Sequence, residues 1–177
     1  EGKNLYEIAS ILDDAGILKA IDFIRTAKDK NMAESLGLNA PTLEGYLFPD
    51  TYFFPPQTQA KRAAEVMVNQ FKDKTQQLNL ASHQLAPHQV VILASIVEKE
   101  TGAPWERPKI AGVFHNRLKK GMRLQSDPTT IYGIWERFDG NLRKKDLLQK
   151  TPYNTYKVNG LPKGPISNPG LASIKAV

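Results

Sequence analysis

Two glutamates, Glu98 and Glu100, stand at the end of the apolar run VVILASIVEKET (Val90 to Thr101), with one lysine between them. A carboxyl group against apolar neighbours resists ionising, which moves it towards the range of a general acid. Helical spacing would give both glutamates such neighbours. Val90, Leu93, Val97 and Glu100 follow one stripe at steps of three and four, while Val91, Ala94 or Ser95, and Glu98 follow another. The run therefore predicts a buried helix that carries two candidate acids on apolar faces. The competing reading is a solvated helix end. Other chemistries lack their residues. There is no cysteine, so disulfides and thiolate metal sites are excluded. His83, His88 and His115 do not have metal-ligand spacing, and His83 and His88 sit in a polar connection. No Gly-rich phosphate loop, dinucleotide fingerprint or Ser/His/Asp arrangement occurs. No metal and no organic cofactor are expected.

The elements that must position these acids fall into three zones. From Glu1 to about Ala40 the pattern predicts short helices. Leu5, Ile8, Ile11 and Leu12 mark the first, which Gly16 ends; Ile17 to Lys30 and Met32 to Leu38 suggest two more. Pro41 to Thr58 (PTLEGYLFPDTYFFPPQT) is aromatic and proline-rich, an extended or turn-rich strip that is either packed core or a ligand-facing wall. Beyond it, Thr58 is placed to cap a long helix from Gln59 to about Leu80, and Pro87 opens the helix with the two acids. Trp105 to Lys120 predicts another helix, stopped by Gly121. Met122 to Gln125 alternates like a short strand, Ser126-Asp127-Pro128 reads as a capping turn into Thr129 to Ile134, and Asn154 to Val158 suggests a second strand. The expected fold class is α+β: predominantly helical, with short strands and long polar loops lining a groove.

Composition narrows the partners. The 177 residues are 41% apolar and 24% charged, which is ordinary for a globular domain. A net charge of +6 suits an anionic partner, but the Lys and Arg residues are scattered rather than arrayed with aromatics, which argues against nucleic acid. No apolar run is long enough to span a bilayer. The chain opens on Glu1 and stops within a helical pattern, so it reads as a fragment of a longer protein. Its polar loops are dense in Asn, Tyr, Gln, Asp and Gly. Neutral hydrogen-bonding groups and flat aromatic faces suit carbohydrate, which offers hydroxyl edges and apolar C–H faces. The residues alone therefore point to a glycan-processing enzyme.

Four stretches carry a resemblance. EGYLFPDTYFFP (Glu44 to Pro55), LASIVEKET (Leu93 to Thr101), VFHNRLKKGMRLQSDPTTIYG (Val113 to Gly133) and YNTYKVNGLPKGPISNPG (Tyr153 to Gly170) are similar to the YceG-like (MltG) family. These are the endolytic murein transglycosylases of bacteria. The resemblance implies a helical linking region at residues 1–43 and a YceG-like catalytic domain at 44–177, truncated at its C-terminus. It implies a lyase that cuts the MurNAc–GlcNAc bond within peptidoglycan strands, leaves 1,6-anhydro-MurNAc ends and so terminates nascent strands. It places the domain on the extracytoplasmic side of the bacterial cytoplasmic membrane, held by an N-terminal anchor outside this fragment, with cell-wall synthases as partners.

By the same resemblance the catalytic residue is the second glutamate of the EKE motif, Glu100, and Glu98 tunes or structures the site. Hydrolytic glycosidases generally need two carboxylates. A transglycosylase uses the sugar's own C6 hydroxyl as nucleophile, so one acid/base suffices. Candidates to hold the glycan are Gln125, Ser126, Asp127, Tyr132, Asn154 and Tyr156. Each also has a structural use: Asp127 as a helix cap, Asn154 and Tyr156 in a turn, Tyr132 as core. Arg117 and Arg123 either meet substrate carboxylates or pair with surface acids. Two other functions stay open: a lysozyme-like hydrolase with Glu98, Glu106 or Asp127 as second carboxylate, and a non-catalytic glycan-binding module.

Overall fold

A helix that is apolar on every side belongs at the centre of a domain, and α5 (Pro87–Glu100) is placed there. The structure, a computed structural model, describes residues 1–177 apart from the side chain of Ser82. All eight residues from Val90 to Val97 are buried. Val90, Val91 and Ala94 join a core built with α1 (Leu5–Asp14), α2 (Ala20–Lys28), α3 (Lys30–Ser35) and α4 (Ala60–Thr75). Ile92, Leu93, Ile96 and Val97 face a second cluster with Ala111 and Phe114 of α6 (Arg107–Lys119), Leu124 and Ile166. Three short helices complete the order: α7 (Asp127–Gly133), α8 (Lys144–Leu148) and α9 (Leu171–Ala176).

Local chemistry sets the ends. Asn4 caps α1 by accepting from the Tyr6 and Glu7 amides, and Glu7 returns a bond to the Asn4 amide. Pro87 opens α5, and the Gln89 side chain accepts from the Ala86 amide. Thr101 adopts extended backbone and stops α5 immediately after Glu100. Thr58 does not cap α4. Its hydroxyl donates to the Pro55 carbonyl, Gln59 occupies the cap position without a side-chain bond, and the helix ends at Thr75 rather than near Leu80.

The α+β expectation is overturned. The regular elements among the described residues are helical, and neither expected strand forms. Gln125 sits at φ 54, in the left-handed region, which breaks an extended run through Met122–Gln125. Asn154 folds its own segment into a turn: its side chain accepts from the Tyr156 amide, and its carbonyl accepts from Lys157 and Val158. The two segments meet through one backbone bond, Gln125 N–H to the Thr155 carbonyl at 3.2 Å, and not through a ladder.

The aromatic strip is packed core in its first part and exposed at Phe53. Leu43 to Phe48 is buried, held by Asn168, whose Oδ1 accepts from the Gly45 and Leu47 amides at 2.8 and 2.9 Å. Phe53 is 93% exposed.

Candidate active site

Glu98 and Glu100 leave the same helix turn and meet different surroundings. The Glu98 side chain is buried, and its Oε1 lies 3.1 Å from Nη2 of the equally buried Arg107. Its Oε2 accepts from the Gly170 amide at 2.9 Å and the Ser173 hydroxyl at 2.7 Å. Glu98 therefore ties α5 to α6 and to the start of α9. Glu100 is exposed, as the solvated-end reading has it and not the buried-face one: α5 ends beneath it, so the stripe from Val90 runs out into solvent. It lines a cleft of about 340 Å³, with Lys99, Thr101 and Gly102 beside it and Glu1, Gly2 and Lys3 also on the wall.

One bond orients Glu100. The hydroxyl of the buried Ser126 donates to its Oε1 at 2.5 Å. Ser126 occupies the cap position of α7 yet makes no side-chain cap, because its hydroxyl is committed to Glu100. Threonines fix the serine in turn. The Ser126 amide donates to Thr155 Oγ1 at 2.9 Å, Thr129 Oγ1 donates to the Ser126 carbonyl at 2.6 Å, and the two threonine hydroxyls bond to each other at 2.8 Å. Gln125, at positive φ, is exposed beside Ser126.

Next to this network the Tyr156 hydroxyl donates to Asp127 Oδ1 at 2.6 Å. That bond, with burial and the charges of Asp127 and Glu100 adding to it, pushes the Tyr156 phenol up to about 12. Tyr156 is thus a neutral donor at ordinary pH, coupled to both carboxylates. Ser126 is thus bonded to Glu100, Tyr156 feels the charge of Glu100, and Asp127 joins them through its bond with Tyr156.

Tyr132 and Asn154 are placed elsewhere. Asn154 is fully buried; its Nδ2 donates to carbonyls of Leu147 and Gln149, and its Oδ1 accepts from Thr130. The Tyr132 hydroxyl donates at 2.8 Å to Glu44, a buried carboxylate that also accepts from the Leu5 amide and Asn168 Nδ2. Burial raises Glu44 to about 7 against the opposing pull of these three donors. Sequence reading missed Glu44, since the apolar company in EGYLF that buries it was taken for plain core or wall. It also missed Arg107, whose role depends on a carboxylate nine residues earlier.

Arg117 and Arg123 meet backbone and amide groups rather than acids. Arg117 donates to the Leu124 carbonyl, and Arg123 donates to the Tyr156 carbonyl and Asn159. Glu106 accepts from the Thr101 hydroxyl at 2.7 Å. Among the described residues no group of three His, Asp or Glu side chains is gathered to hold a metal.

Fold and site together define a class: a helical domain that presents one carboxylic acid, oriented by a buried hydroxyl, beside loops of hydrogen-bonding and aromatic side chains. The model of the YceG-like family matches residues 1–177, and the chain belongs to that family. An endolytic murein transglycosylase of Bacillus subtilis is 35% identical over 193 aligned residues, covering 99% of this chain and 53% of that protein. One from Streptococcus pneumoniae is 33% identical, covering 96% of this chain and 32% of that protein. The crystal structure of a yceG-like protein from Listeria monocytogenes superposes with a TM-score of 0.88 at 36% identity, covering 99% of this chain and 63% of that one. The chain therefore spans about half the length of the first curated relative and a third of the second.

Proposed function

We propose that this chain carries the catalytic centre of an endolytic murein transglycosylase, with Glu100 as its single acid/base. The observation that carries the reading is the contrast between the two glutamates: Glu98 is committed to Arg107, Gly170 and Ser173, whereas Glu100 is exposed and held by one hydroxyl. The names of the relatives supply the substrate class. Ser126 donates to Oε1, so the transferable proton belongs on Oε2. Glu100 gives that proton to the glycosidic oxygen between MurNAc and GlcNAc. The C6 hydroxyl of the MurNAc then attacks its anomeric carbon and returns its proton to Glu100, leaving a 1,6-anhydro ring. The nucleophile is part of the substrate, which gives it a high effective concentration and removes the need for a second residue to activate water. The hydroxyl and amide dipoles of the loop wall accommodate the positive charge that develops at the anomeric carbon.

Asp127 supports a second reading. It accepts from Tyr156, which feels the Glu100 charge, whereas Glu98 and Glu106 are engaged elsewhere, so Asp127 would be the carboxylate that activates water in a lysozyme-like hydrolase. A digest of peptidoglycan separates the two: anhydro ends follow from the first reading and ordinary reducing ends from the second. If neither the wild type nor Glu100→Gln digests peptidoglycan while both bind it, the chain is a binding module and both catalytic readings fall. With murein as substrate, the domain works outside the cytoplasmic membrane. We place it there on an N-terminal anchor beside cell-wall synthases, where cutting would terminate nascent strands.

A further inference from the structure

We infer that a second cleft, walled by the aromatic strip, is a distal glycan-binding arm of the Glu100 site. The cleft holds about 500 Å³ and shares two wall residues, Glu1 and Lys3, with the cleft at Glu100. From this common N-terminal segment it follows α1 past Ile8 and Ile11, about 10 Å at the helical rise. The segment is fixed in place: the Gly2 amide donates to the Asn168 carbonyl at 3.0 Å, and the Asn168 amide donates to the Lys3 carbonyl at 2.9 Å.

The opposite wall has the chemistry of a sugar platform. Residues 51–55 belong to no helix or strand, and their side chains divide between cleft and solvent. Tyr52 and Phe54 turn to the cleft with ring centroids 5.6 Å apart and planes 15° from parallel, while Phe53 projects to solvent. The Tyr52 hydroxyl donates to the Phe48 carbonyl at 2.6 Å, which locks the ring and leaves its face as the contact surface. Flat rings suit the C–H faces of pyranoses, and the exposed Thr51 at the rim suits their hydroxyl edges. Lys3, common to both clefts, is paired with Glu7 at 2.9 Å, and that pair offers a donor and an acceptor to sugar hydroxyls. One polymer is therefore the fitting occupant of both clefts. The inference rests on the glycan reading above and deepens it, because an enzyme that cuts within strands must hold sugars at a distance from the scissile bond.

The test measures binding of peptide-free GlcNAc–MurNAc strands of graded length to the Glu100→Gln protein, which removes turnover from the measurement. Affinity should rise about tenfold once the strand is long enough to reach the second cleft. Ile11→Glu, at a site 52% exposed, should abolish that gain while short oligosaccharides bind as before. Thr51→Glu on the facing wall should do the same, which guards against a folding defect in either variant. Length-independent affinity, or a gain that survives both substitutions, would overturn the inference. Wild-type digests settle the reaction separately. If they show no anhydro ends while Ile11-sensitive length dependence persists, the arm stands and the transglycosylase reading falls.

Discussion

Ser126 and Arg107 give the two glutamates different work, and each difference is measurable. Ser126 Oγ is the group that orients Glu100, so Ser126→Ala should lower kcat about tenfold with little change in KM, the loss expected for one orienting hydrogen bond. Initial rates on soluble glycan strands check this; an unchanged kcat would remove Ser126 from the machinery. Glu98→Gln should act on stability, because it leaves the buried Arg107 guanidinium without its nearest counter-charge. A loss of about 3 kcal/mol is expected, read as a shift in urea midpoint. The EKE spacing made both glutamates visible and could not rank them. What separates them is long-range: Arg107, Gly170 and Ser173 converge on Glu98 from other elements, and helical periodicity contains none of that. The Ser-Asp-Pro turn was legible as a helix entry, whereas the diversion of its hydroxyl from cap to acid depends on where α5 ends.

Among the elements, α5 was the most legible, since eight consecutive buried residues can only be the centre of a helical domain. The strands were misread because short alternating runs such as Met122–Gln125 are decided by backbone geometry and partners, here a positive φ and an Asx turn. The turn at Gly45 shows how tightly α5 constrains its neighbours. Its φ is +88, and a Cβ there would lie 2.6 Å from Pro165 Cγ and 2.7 Å from Val91 Cγ1. Gly45→Ala should therefore cost at least about 2 kcal/mol, through left-handed strain and overpacking together. Thermal unfolding checks this, and a wild-type melting temperature would show that the 165 loop can move away at no cost.

At the scale of the whole molecule, Glu44 joins the start of α1, α7 and the loop at Asn168 through three hydrogen bonds. Its folded value of about 7 lies above the ordinary 4.5, so the native state holds this proton more tightly than the unfolded chain. Its contribution is most favourable below 4.5, declines as pH rises to about 7 and is flat beyond, a decline of about 3 kcal/mol in all. Glu44→Gln should flatten that part of the decline in urea midpoints, and equal slopes in both proteins would contradict the role given to this carboxylate. The assembled chain is answered most directly by its products. Peptidoglycan digested with wild type and with Glu100→Gln, followed by mass spectrometry of the glycan ends, should give 1,6-anhydro-MurNAc with the wild type and none with a folded Glu100→Gln protein. Ordinary reducing ends from the wild type, or anhydro ends from the variant, would contradict Glu100 as the lone acid/base of a transglycosylase.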